Sequence, residues 1–197
     1  VSARTDRIAR VITELSTPAL SVVAISLLCG IRGAPGWQGL GWGALLALFC
    51  GVIPYVALEV GARRGHFTNR HVTTHRQRPL AYAICITSVI VGVLVVSLLG
   101  APPLLLWALA TMFAGLIIAG TITLIGPKVS MHAMCLTSLG MFAAFLFSPW
   151  WLLALAAALP IVVWSRLQLG HHSKIEVVLG TGIAVLLTTA AWMLAPV

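Results

Sequence analysis

Acidic residues are what this chain has least of. In 197 residues there are four, Asp6, Glu14, Glu59 and Glu176, against twelve Lys and Arg. Sites that hold magnesium against a diphosphate use clustered carboxylates. No DxxxD or DDxxD occurs, which disfavours a metal-dependent prenyltransferase or cyclase. Charge of either sign is scarce at 8% of residues, where a soluble domain carries about 25%. The four cysteines, Cys29, Cys50, Cys85 and Cys135, stand singly in apolar runs with no CxxC. That spacing excludes a zinc ribbon or thiol redox pair and leaves them as small core residues. Residues 1–17 lack the apolar core of a secretory leader. No long polar stretch separates one part from another, so a single domain over residues 1–197 is expected.

Apolar residues are plentiful: 60% of the chain, with a mean hydropathy of +1.05. Several runs reach the roughly 20 residues a membrane-crossing helix needs. The predicted fold class is all-α, a polytopic transmembrane helix bundle of about six or seven spans. These fall near 18–33, 41–62, 80–99, 103–125, 131–147, 149–166 and 173–195. An N-terminal interfacial amphipathic helix is expected over 1–17, with Ile8, Val11, Ile12 and Leu15 on one face and Arg4, Arg7 and Arg10 elsewhere. The breaks Gly33-Ala-Pro-Gly36, Gly100-Ala-Pro-Pro103 and Ser148-Pro149 have turn chemistry. Trp37, Trp42, Trp107, Trp150 and Trp151 sit beside them, as interfacial aromatics do.

Folding the chain up and down sorts its polar residues. The face holding the N-terminus also receives connections 63–79, 126–130 and 165–173. It collects Arg4, Arg7, Arg10, Arg63, Arg64, Arg70, Arg76, Arg78, Lys128, Arg166 and Lys174, eleven of the twelve cations, and all six His. The opposite face keeps Arg32. The positive-inside bias then predicts a multi-pass protein of the cell membrane with this face in the cytoplasm.

Three clusters converge there. The first is His71-Val-Thr-Thr-His-Arg-Gln-Arg78-Pro79. The second is Gly126-Pro-Lys128-Val-Ser130-Met-His132. The third is Ser165-Arg166 with His172 and Glu176. Arg forks match phosphate oxygens bidentately, and an Arg–Lys clamp stabilises charge on a transferring phosphoryl group. A His can serve as nucleophile or as general acid. His172 and Glu176 are spaced i, i+4 and meet on one helical face, where the carboxylate would orient the ring. The plainer readings stand beside these. Arg78 would also serve as a positive-inside anchor, His132 as an interfacial residue, and His66, His75 and His171 as solvated loop or rim.

Ser165-Arg166-x5-His172-x3-Glu176 resembles the third signature of the type 2 phosphatidic acid phosphatase superfamily, Ser-Arg-x5-His-x3-Asp. Val129-Ser130-Met131-His132 is similar to its second, Pro-Ser-Gly-His. His71-x6-Arg78-Pro79 is similar to its first, Lys-x6-Arg-Pro. The resemblance spans residues 71–180 and is particularly to small actinobacterial members. It implies a metal-independent phosphatase working through a phosphohistidine, with a lipid phosphate in the bilayer as partner and no cofactor, metal or nucleic acid. Carried over, His172 is the nucleophile, Glu176 its orienting carboxylate and His132 the acid for the leaving oxygen. Arg78, Arg166 and Ser130 hold the phosphoryl oxygens, with Lys128 and His71 contributing charge. The chain departs from the pattern at His71, where Lys is usual, at Met131, where Gly is usual, and at Glu176, one methylene longer than Asp.

Two other functions fit the same residues. A degenerate member would bind anionic lipid, or serve as a subunit of a membrane complex, without turnover. A His-liganded metal or haem protein would also gather six His on one face, although no HxxxH pair occurs on facing spans.

Overall fold

The computed structural model describes residues 3–196, and among them every regular element is helical. In order these are α1 (Ala3–Leu15), α2 (Pro18–Gly33), α3 (Gly36–Ala47), α4 (Ile53–Arg63), α5 (Arg78–Leu98), α6 (Pro103–Ile125), α7 (Met131–Leu146), α8 (Trp151–Gln168) and α9 (Lys174–Trp192). A π-turn, Leu48–Val52, joins α3 to α4, and a 3₁₀ turn, His75–Gln77, leads into α5. Pro18, Pro79 and Pro103 stand in the first turns of their helices, where a missing N–H costs little. Gly100 and Gly170 end α5 and α8 with φ of 72° and 64°, the left-handed stop that glycine supplies without a Cβ clash.

Six stretches are long and apolar enough to cross a membrane: Ala3–Gly33, Gly36–Arg63, His75–Leu98, Pro103–Ile125, Trp151–Gln168 and Lys174–Trp192. The protein is a multi-pass helical membrane protein. Its outward surface is apolar in keeping with that, with Leu94, Leu124, Val178 and Leu186 all exposed. The run expected over 131–147 is present as α7, but with 16 residues it rises only about 24 Å against a hydrocarbon core of about 30 Å. It lies at the centre, buried along most of its length and packed by α2, α8 and α9. Phe142 and Leu146 of α7 close a core with Ile25, Cys29, Leu104 and Ala108.

Two expectations need correction. A separate interfacial amphipathic helix over 1–17 is not supported. Ala3–Leu15 is parted from α2 only by Ser16-Thr17, and together they make the apolar stretch Ala3–Gly33; residues 1 and 2 lie outside the described residues. Polar groups on α1 are spent on the protein instead: Ala9 and Thr13 are buried, and Gln168 Nε2 donates to Asp6 Oδ1 at 2.9 Å. Nor is Trp107 an interfacial aromatic. It packs on Phe142 and Trp192 and donates to the Ala191 carbonyl at 2.8 Å, whereas Trp37, Trp150 and Trp151 are exposed beside their breaks.

The α2–α3 hairpin is held by close backbone approach. A Cβ on Gly30 would lie 2.3 Å from the Gly39 carbonyl and 2.6 Å from the Gly43 Cα, the small-residue contact that lets membrane helices pack without bulky side chains.

Candidate functional site: a polar cavity at one end of the bundle

The connection between α4 and α5 supplies the first cluster. Val72 has a φ of 45°, a left-handed conformation that costs a β-branched residue about 1–3 kcal/mol. The strain is held by burial of its side chain with Phe67 and Ala81 and by Arg78, whose Nε donates to the Val72 carbonyl at 3.1 Å. The same guanidinium donates through an Nη to the Val129 carbonyl at 3.1 Å. Arg78, itself buried, therefore ties the first cluster to the second. Val129 is pinned again by its N–H donating to Thr123 Oγ1 at 3.3 Å.

The second and third clusters are joined through the backbone. Ser130 N donates to the Glu176 carbonyl at 3.0 Å. A Cβ on Gly180 would sit 2.5 Å from the Ser130 carbonyl, so only glycine lets α9 come this close. At the start of α9, Ser173 and Glu176 form a capping box: Ser173 Oγ accepts from Glu176 N at 3.4 Å, and Glu176 Oε2 accepts from Ser173 N at 3.2 Å. The same Oε2 lies 2.7 Å from His172 Nδ1 and 3.8 Å from Lys128 Nζ. The departure from Asp thus has a physical reason. A capping box uses Glu or Gln at the third helical position, and the carboxylate that orients the ring also starts the helix.

A neighbour the sequence reading missed is α1. Ser165 Oγ gives its proton to the Val162 carbonyl at 2.8 Å, so the 3.3 Å contact between Thr13 Oγ1 and Ser165 Oγ has Thr13 as donor. Thr13 Oγ1 in turn accepts from an Arg166 Nη at 3.3 Å. At the next residue, Glu14 Oε1 lies 3.0 Å from His71 Nε2, and Glu14 Oε2 is ion-paired with Arg70. His71 stacks at a tilt on His132, ring centroids 5.3 Å apart. A signal was present in the sequence: with only four acids in the chain, each is expected to face something. Each does, Asp6 with Gln168, Glu14 with Arg70 and His71, Glu59 with Arg63, and Glu176 with His172 and Lys128.

These groups surround a cavity of about 220 Å³. Its polar end is lined by Arg70, His71, Arg78, His132, Arg166 and His172, and it continues inward past Val89, Met112, Leu116, Phe142 and Leu187. Phe142 is ten residues beyond His132 on α7, so the apolar part runs about 15 Å inward, half the hydrocarbon thickness. Met131, standing where the resembled pattern has Gly, is one of its walls.

Among the described residues, Ser130 Oγ, His132 Nε2 and Arg166 Nε are buried at this end without a protein partner. Each such group costs about 1–3 kcal/mol, in a fold whose whole stability is about 5–15 kcal/mol. An anion held here would satisfy them. Burial pushes the His172 ring down to about 2, with Arg166, Arg78 and Lys128 adding to it. His172 is therefore neutral at physiological pH, and with Nδ1 engaged by Glu176 its Nε2 carries a free lone pair. His171 is likewise held down to about 4 by burial and nearby cations. Burial also lowers His71, against the opposing pull of Glu14.

The structure thus brings together His71, Arg78, Ser130, His132, Arg166, His172 and Glu176 from three sequence-distant segments. Lys128 sits one layer back, donating to the His171 carbonyl at 3.3 Å and facing Glu176. His75 stands outside, against the Gly126 carbonyl at 3.3 Å, and His66 is exposed. Among the described residues no three His, Cys, Asp or Glu side chains group as a metal site. The positive charge at the cavity's polar end comes from Arg70, Arg78 and Arg166, with Lys128 behind them. No protein-family model, curated protein or solved structure matches the chain.

Proposed function

We propose that the protein is a membrane lipid phosphatase of the type 2 phosphatidic acid phosphatase kind. It would hydrolyse a lipid phosphate or polyprenyl (di)phosphate without a metal. The observation that carries this reading is one cavity whose polar end is lined by Arg78, His132, Arg166 and the carboxylate-tethered His172, with the buried His132 Nε2 and Arg166 Nε lacking partners. The phosphate belongs at that end and the lipid chain in the apolar continuation.

His172 Nε2 attacks phosphorus, and the N–P bond forms as the P–O bond to the lipid breaks. The departing electron pair stays on the lipid oxygen, which takes a proton from His132, whose imidazolium is stabilised by the charge of the bound phosphate. Water then attacks phosphorus, its proton passes to His132, and the N–P bond breaks to release inorganic phosphate. Arg78, Arg166 and Ser130 hold the non-bridging oxygens, whose charge grows on the way to the pentavalent state. Glu176 keeps Nδ1–H bonded, so Nε2 is the nucleophile in every turnover. The basic bias of the face carrying the site supports a cytoplasmic site. There it would meet lipid intermediates made inside the cell.

The test is phosphate release by purified protein in detergent with EDTA, over polyprenyl phosphates, polyprenyl diphosphates and phosphatidyl lipids. Release is expected to survive EDTA and to vanish in His172→Ala. A folded protein that binds phosphate but releases none from any lipid would leave the binding or subunit role in its place.

A further inference from the structure

Two side chains at the cavity mouth are not needed for a single phosphate. Arg78 and Arg166 already flank the inner pocket with His132 and His172, and Lys128 is matched by Glu176. Arg70 and His71 are left, and both are bridged by one carboxylate, Glu14, which is 42% exposed. Arg forks accept carboxylate and phosphate in the same bidentate geometry, so a carboxylate between these two groups marks a place where an anion fits. The place lies next to His132, whose ring meets that of His71 at 5.3 Å. His132 also has a buried nitrogen without a partner facing the same cavity. Arg70 is steadied independently of Glu14 by Tyr55 Oη at 3.3 Å and Glu59 at 3.6 Å. It would hold its position if Glu14 turned out to water.

We propose that Arg70 and His71 form a second phosphate subsite on the leaving-group side of His132, filled in this structure by the Glu14 carboxylate, and that the substrate is a lipid diphosphate. This rests on the phosphatase reading and narrows it. The terminal phosphoryl group goes to His172 Nε2. The P–O bond to the bridging oxygen breaks, and the leaving group is the lipid monophosphate, whose charge Arg70 and His71 receive as Glu14 is displaced. Water then cleaves the N–P bond, giving inorganic phosphate and the lipid monophosphate. Glu14 is a stand-in for the inner phosphate and pairs with Arg70 when no substrate is bound.

The experiment uses the full chain in detergent with EDTA and a matched pair, farnesyl diphosphate and farnesyl phosphate. Wild type is expected to favour the diphosphate by about tenfold or more in kcat/KM, the scale of one charge-assisted contact. Arg70→Gln is expected to collapse that ratio toward one, and Glu14→Gln to lower KM for the diphosphate. A wild-type ratio at or below one, or an equal loss on both substrates in Arg70→Gln, overturns the proposal. A second arm needs no turnover. Calorimetry on His172→Ala is expected to give tighter binding of inorganic pyrophosphate than of orthophosphate, with the difference lost on adding Arg70→Gln. Equal affinities, or no binding of either, overturn the subsite. Absence of hydrolysis with the pyrophosphate preference intact would instead remove the phosphatase reading and leave the subsite standing.

Discussion

Replacing Glu176 by Gln separates the two jobs of one oxygen. Ser173 N–H and His172 Nδ1–H both converge on Oε2, at 3.2 and 2.7 Å, and a Gln amide oxygen in that place still accepts both. What disappears is charge. A charge-assisted hydrogen bond is worth about 1.5–3 kcal/mol against about 1 for a neutral one, so Glu176→Gln is expected to lose about 1–2 kcal/mol of His172 orientation and of imidazolium-like stabilisation in the transition state. At 1.4 kcal/mol per decade, that is a fall of about 5- to 30-fold in kcat with little change in KM. Glu176→Ala also removes the cap and leaves Lys128 facing a void. It is expected to cost about 1 kcal/mol more in stability and up to about 10⁴-fold in kcat, the loss seen when the carboxylate that orients a catalytic His is removed. The assay is EDTA-resistant phosphate release, with thermal unfolding in detergent read on the same preparations. If Glu176→Gln and Glu176→Ala were both within threefold of wild type in kcat, the carboxylate would not be orienting the ring. If Ala were inactive merely because it unfolds, the melting curves would show it.

Gly180→Ala is expected to destabilise the bundle by about 1–3 kcal/mol and to lower turnover by about 10²-fold, because its Cβ would meet the Ser130 carbonyl at 2.5 Å; wild-type activity would mean that α9 does not seat the Ser130 segment. Arg78→Ala should lower the melting temperature as well as abolish activity, since the buried Val72 and Val129 carbonyls lose their donor at about 1–3 kcal/mol each. A membrane anchor alone would leave stability unmoved. Acid should destabilise the protein. His172 is held down to about 2 in the fold and titrates near 6.5 when unfolded. The unfolded chain therefore binds a proton that the fold refuses, and stability falls as pH drops below about 6.5, by up to about 1.4 kcal/mol per pH unit. Thermal unfolding between pH 7 and pH 5 checks this, and a flat profile in that window would contradict it.

The sequence exposed most of the architecture because a membrane chain advertises its spans. Apolar length alone locates α2 to α6, α8 and α9 to within a few residues at most ends. It misjudges what length and hydropathy do not encode. The start of the second span is five residues earlier than expected because Pro35-Gly36 turns the chain at once, and the span carries the π-turn Leu48–Val52 inside it. α7 reads as an ordinary span, yet is short and central; hydrophobicity reports that a helix avoids water, not whether lipid or protein surrounds it. The polar clusters were legible because charge is so costly in hydrocarbon that their coincidence on one face stands out. Thr13 and Glu14 were not. On α1 they sit among residues whose Arg-rich pattern reads as a lipid surface, and only tertiary packing against α8 turns them inward.

The seat that Gly180 provides for Ser130 has a consequence for biosynthesis. The chain emerges from the ribosome in order, so α1, the Arg78 loop and the Ser130–His132 segment are all made before residue 170. Until α9 inserts, Ser130 N lacks the Glu176 carbonyl that receives it, and His172 lacks its carboxylate. A nascent chain already in the bilayer therefore holds Arg78, Ser130 and His132 without His172 and Glu176. On the proposed phosphatase reading, reactivity would arrive in a single event, the insertion of the last helix, which brings His172, its carboxylate and the backbone support together. Loss of α9 would then leave an inserted protein with most of its cations in place and no turnover.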